Sequence, residues 1–107
     1  MPLTRDFRHT VLARVERDPA FVKALLDEAA TLFLNGEPEA ARLILRDLVN
    51  ATVGFEKLAA MTNKPSKSLR RMLSQKGNPS MDNLATIFDA VRRKLRVGIK
   101  VRTVKAA

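Results

Sequence analysis

At 107 residues the chain has the length of one domain with a single core, and the absence of Cys, Trp and Tyr excludes disulfides and thiolate zinc sites and leaves only five Phe for stacking on single-stranded nucleic acid. Its formal charge of +9 is concentrated in one half: residues 51–107 carry thirteen Lys and Arg against three acids, whereas residues 1–50 carry seven against eight. A cationic half of that kind points to a polyanion, most simply duplex DNA. No apolar run approaches the roughly 20 residues of a membrane span, and MPLTRDFRHT is too polar for a signal peptide, so a soluble cytoplasmic protein is expected.

Thr4 is a good N-cap, and Phe7, Val11, Leu12 and Val15 follow at helical spacing, predicting a first helix over about 4–17. Asp18-Pro19 ends it and opens a second helix with Asp18 as cap. Phe21, Leu25, Leu26, Ala29, Leu32 and Phe33 form its apolar face. Asn35-Gly36 terminates that helix, because both residues tolerate positive φ, and Glu37-Pro38 starts a third with Ala41, Leu43, Ile44, Leu45, Leu48 and Val49 inward. Only Gly54 marks the next break.

From Phe55 the elements shorten. Phe55, Leu58, Ala59 and Thr62 make one stripe, Asn63-Lys64-Pro65 is a break, and Ser66–Ser74 restarts with Leu69, Met72 and Leu73 buried. Lys76–Pro79 forms a turn. Ser80 then caps a long helix with Met81, Leu84, Ile87, Phe88, Val91 and Leu95 inward. Val97, Ile99 and Val101 alternate with Gly98, Lys100 and Arg102, a period of two that predicts one short strand over 97–104. A lone strand needs a partner chain or a second copy. The expectation is one all-α domain over 1–107: N-terminal helices in 1–50, a helix pair and closing helix in 52–95, and the terminal strand.

The segment FEKLAAMTNKPSKSLRRMLSQKGNPSMDNL resembles the helix-turn-helix of the phage-repressor (Cro/Xre-like) fold, giving a five- or six-helix lambda-repressor-like domain. Leu58-Ala59 supplies the large-then-small pair that lets a second helix cross closely. Asn63 stands where the family usually has Gly, as the residue that best replaces Gly at positive φ. Lys64 stands where the family usually has an apolar residue, and Thr62 is more polar than usual. With Leu69 and Met72 inward, Ser66, Lys67, Ser68, Arg70 and Arg71 project outward. Ser66, Lys67 and Arg70 are the candidates for base edges in the major groove, and Lys64, Arg71 and Lys76 for phosphates. Gly77 and Asn78 are placed to offer backbone N–H groups to a phosphate.

A longer stretch, roughly 20–104, resembles the HigA-like antidote (antitoxin) family of type II toxin–antitoxin operons. The resemblance is carried by Leu34-Asn35-Gly36-Glu37-Pro38, by Leu73-Ser74-Gln75-Lys76-Gly77-Asn78-Pro79, and by the closing helix. It implies a dimeric repressor of its own operon that also silences a protein toxin, commonly a ribonuclease.

The remaining residues carry no enzyme chemistry. His9 has no metal-ligating neighbours, Asp27 and Glu28 point about 100° apart on a helix, and no P-loop, dinucleotide fingerprint or Ser–His–Asp set occurs, so a non-enzyme without cofactor or metal is expected. The acid-bearing first half suits a basic protein partner. Two alternatives remain: a stand-alone phage-type repressor, or an interaction module whose basic half docks on an acidic partner or RNA. A weaker one is membrane-surface binding through Arg92–Arg96.

Overall fold

A computed structural model of the chain describes residues 18–107, and all regular structure in it is helical. Five helices follow in order: α1 (Pro19–Leu34), α2 (Pro38–Ala51), α3 (Phe55–Thr62), α4 (Ser66–Met72) and α5 (Met81–Leu95). The helix expected over 4–17 lies outside the described residues.

Local chemistry accounts for most boundaries. The Asp18 carboxylate accepts from the Phe21 N–H at 3.2 Å, with Pro19 in the first turn. Ser80 does the same for Asn83 at 3.1 Å. Gly36 lies at φ +82° and Gly54 at φ +79°, so each provides the left-handed turn that separates two helices. Asn63 closes α3 at φ 55°, and the N–H of Lys64 reaches back to the Ala59 carbonyl.

α1 and α2 form an antiparallel hairpin, and α3, α4 and α5 close around its inner face. One core joins them, built from Leu26 and Ala29 of α1, Leu45, Leu48 and Val49 of α2, Phe55 and Leu58 of α3, Leu69 and Leu73 around α4, and Ile87 and Val91 of α5. Phe33 and Phe88 meet edge-to-face at 5.8 Å and tie α1 to α5. The hydroxyl of half-buried Thr62 donates to the Leu58 carbonyl at 2.7 Å, which satisfies a polar group on an otherwise apolar stripe.

Two expectations need correction. Residues 97–104 form no strand, and no strand is present among the described residues to complete a ladder with them. The alternation is real for Val97 and Ile99, which pack on the core, and fails at Val101, which is exposed. Met81, expected inward, is also exposed, because it occupies the first turn of α5 beyond the end of the core.

Candidate nucleic-acid interface

α3 and α4 are joined by Asn63, Lys64 and Pro65. Two features set the turn: the left-handed Asn63, and Pro65, whose extended backbone (φ −62°, ψ 139°) leads into the first residue of α4. Leu69 and Leu73 are fully buried and Met72 is half-buried, so one face of α4 is anchored in the core. The opposite face exposes Lys67, Arg70 and Arg71, and Lys76 and Asn78 are exposed on the following turn. Ser66, Ser68 and Lys64 are half-buried rather than projecting. Four of the five cations of the candidate set, Lys67, Arg70, Arg71 and Lys76, are thus exposed, while Lys64 and the two serines are half-buried.

Arg70 is not a free cation. Its guanidinium carbon sits 4.7 Å from the centroid of the Phe55 ring, and Nη2 lies 3.8 Å from the Glu56 carboxylate. Phe55 itself is 3 % exposed, so Arg70 covers the outer face of a core aromatic while its side chain remains 56 % exposed. The pair with Glu56 is long and solvated, which leaves the guanidinium available to exchange partners.

The loop after α4 is fixed from two sides. A Cβ on Gly77 would collide with the Met72 carbonyl and come within 2.6 Å of the Arg71 carbonyl oxygen, so this position demands glycine through close approach rather than through its φ. The Gly77 N–H donates to Ser74 O at 3.0 Å, so it is spent inside the turn and not offered to a phosphate. The other anchor is Arg42 of α2, only 9 % exposed: Nε donates to Ser74 O at 3.1 Å and Nη2 to Gln75 O at 3.0 Å. Arg42 fell outside the predicted apolar face of α2. A signal existed, since position 42 shares a helical stripe with Leu45 and Val49, but a cation there reads as solvated until its acceptors are placed beside it.

The basic run at the end of α5 divides. Asp89 takes Arg92 on one carboxylate oxygen and Arg93 on the other, the latter at 3.0 Å. Lys94 instead faces Lys57 of α3 and Arg96, and its ammonium is held below its usual pKa, first by Lys57 and then by desolvation and Arg96. Arg92, Arg93 and Lys94 also lie in the last turn, where cations complement the helix dipole.

Among the described residues no group of three or more His, Cys, Asp or Glu is arranged to hold a metal ion, and no helix is long and apolar enough to cross a membrane. No protein family, curated protein or solved structure matches the chain.

Proposed function

We propose that the protein is a sequence-specific DNA-binding repressor with α3 and α4 as a helix-turn-helix and α4 as its reading helix. The observation that carries this is the split of the Ser66–Leu73 segment, a helix of seven residues and its C-cap, into a buried Leu69/Leu73 side and an exposed Lys67/Arg70/Arg71 side. A helix of that width enters the major groove, and an Arg there bonds guanine in a two-pronged manner. Lys67 and Arg70 are the base-reading candidates. Ser66 and Ser68 contribute from the margin, and Arg71, Lys76, Lys64 and the exposed Asn78 contact the backbone.

The antidote reading adds a toxin partner. It draws on the resemblance of the 34–38 and 73–79 segments, and on the charge of the α1–α2 hairpin. Asp27, Glu28, Glu37 and Glu39 are exposed there, and of its three cations Arg42 is buried. An acidic hairpin behind a basic helix gives one chain two surfaces of opposite sign, one for DNA and one for a basic protein such as a ribonuclease. A homodimer on a palindromic operator, in the cytoplasm, completes the proposal.

The test is a competition between the duplex upstream of the chain's own gene and a scrambled duplex of equal length at physiological salt. Preference for the upstream duplex by at least about a hundredfold supports the reading, since specific binding exceeds non-specific binding by about 10³–10⁷. Equal binding to both duplexes, with binding to an acidic protein or structured RNA, would replace it with the interaction-module reading.

A further inference from the structure

Four cations are exposed on α4 or just beyond it: Lys67, Arg70, Arg71 and Lys76. Among the described residues Arg70 alone of these four is paired with an acid, the Glu56 carboxylate of α3, whose Oε1 lies 3.8 Å from Nη2. Glu56 is one of three acids after residue 50; Asp89 is taken by Arg92 and Arg93, and Asp82 stands in the first turn of α5. A carboxylate beside a face proposed for DNA repels every phosphate that approaches it, so Glu56 costs affinity for any duplex unless it acts through Arg70. Its station in the first turn of α3 favours the helix dipole, which bears on stability alone.

The guanidinium is held by two neighbours at once. The Phe55 ring centroid lies 4.7 Å from its carbon, and Glu56 draws on Nη2. The fork carries five N–H donors, and one directed at Glu56 leaves enough for the two-pronged bond to guanine. What those donors meet then decides the energy. Guanine O6 and N7 are neutral acceptors and can be added while Glu56 stays in place. A phosphate on the same donors stands against the carboxylate, anion against anion, so Arg70 gains it only by leaving Glu56 and the ring. Withdrawal of water in a closed groove sharpens the contrast, because the solvated pair of the free protein then lies in a lower dielectric.

We infer that Glu56 is the positioning residue of Arg70: it turns an arginine that would take any phosphate into one that favours the neutral acceptors of a base edge, and so determines sequence choice without touching the base. This rests on the repressor reading for the base contact, whereas the coupling between Glu56 and Arg70 is measurable on any duplex.

Binding of the full chain to the upstream duplex and to random duplex, at three salt concentrations, tests the assignment with Glu56→Gln, Arg70→Ala and their combination. The Glu56 side chain is 83 % exposed, so circular dichroism of Glu56→Gln should match the wild type. Glu56→Gln should tighten random-duplex binding and steepen its log K against log salt by about one. It should lower the ratio of upstream to random affinity by at least about threefold, within the range a single ion pair supports. In the Arg70→Ala background the same change should move neither slope nor ratio. An unchanged or higher ratio after Glu56→Gln, or an equal shift with Arg70 absent, overturns the proposal; the second result would make Glu56 a bulk charge only. A wild type that binds both duplexes equally removes the repressor reading, and the random-duplex slope then decides the coupling alone. Steepening that requires Arg70 keeps it, and steepening without Arg70, or none, removes it.

Discussion

Arg42 and Ser74 lie thirty-two positions apart in the chain and 3.1 Å apart in space, with the guanidinium Nε of α2 donating to the carbonyl that follows α4. A second donation, to Gln75 at 3.0 Å, makes Arg42 a two-point clamp on the end of the candidate reading helix. Ser74 and Gln75 lie in the turn just beyond α4, and a buried guanidinium with its several donors is well suited to serve both carbonyls. Through this clamp the acidic hairpin and the basic helix pair are mechanically one unit.

Arg42→Met keeps the aliphatic stem and removes both donors. It should lower stability by about 1–3 kcal/mol, because the Gln75 carbonyl loses its donor and the Ser74 carbonyl keeps only the Gly77 N–H. Arg42→Lys should recover part of that loss, because an ammonium can serve one carbonyl but not both in the same geometry. Urea unfolding monitored by circular dichroism measures both. Equal midpoints for wild type and Arg42→Met would show that the two carbonyls find water at no cost.

Arg70 and Arg71 are neighbours in sequence with different surroundings, and their alanine variants should differ in kind. Arg70→Ala should weaken operator binding and relax discrimination at one base pair by about 1–3 kcal/mol. It also uncovers Phe55, so a stability loss of about 0.5–1 kcal/mol should accompany it. Arg71→Ala should weaken all duplexes alike and reduce the slope of log K against log salt by about one. Titrations on the operator and on single-substituted operators at three salt concentrations separate the two patterns.

Two exposed loops carry glycines of unequal importance. Gly77→Ala forces a methyl group onto the Arg71 and Met72 carbonyls, which are backbone atoms and cannot swing aside, and should destabilise by about 1–3 kcal/mol. Gly98→Ala meets nothing within 4 Å and should change stability by less than about 0.5 kcal/mol. Thermal melts of the pair compare close approach with open space within one protein.

The Lys57–Lys94 juxtaposition sets a sign for the pH dependence of Lys94. Its ammonium is disfavoured in the folded state, chiefly by Lys57, so between its folded pKa and its higher unfolded pKa the unfolded chain holds more protons. The repulsion is fully present below that window and is relieved as pH rises through it. Lys94→Gln should therefore gain stability over the wild type at neutral pH and low salt, and the gap should close at alkaline pH and in high salt. A gap that is flat with pH and salt would show that the two ammonium groups are kept apart in solution.

Caps, breaks and the all-helical class are legible in the residues themselves. Asp18-Pro19, Asn63 and Ser80 act within three or four positions of where they stand, each as its chemistry predicts, whereas of Asn35-Gly36 only Gly36 takes the positive φ and Asn35 stays at φ −98°. The inward set Leu58, Leu69, Ile87 and Val91 follows from a helical period that any helix in water must bury.

What the chain alone could not decide depends on atoms far apart in sequence. Period two at Val97–Arg102 describes side chains, whereas a strand also needs a neighbour to accept its hydrogen bonds, and the described fold places none there. Position 42 lies on the inner stripe of α2, but only the arrival of the Ser74 and Gln75 carbonyls makes a buried guanidinium tolerable there. Arg70 is exposed by helical spacing, yet its station over Phe55 exists only because α3 and α4 cross where they do. Composition and spacing thus determined the helices and the sign of their faces, because those are short-range matters of dihedral preference and burial. Tertiary packing alone decided which cations are held, which are spent, and which remain for a partner, because a charge is settled by whatever the fold brings within a few ångströms of it.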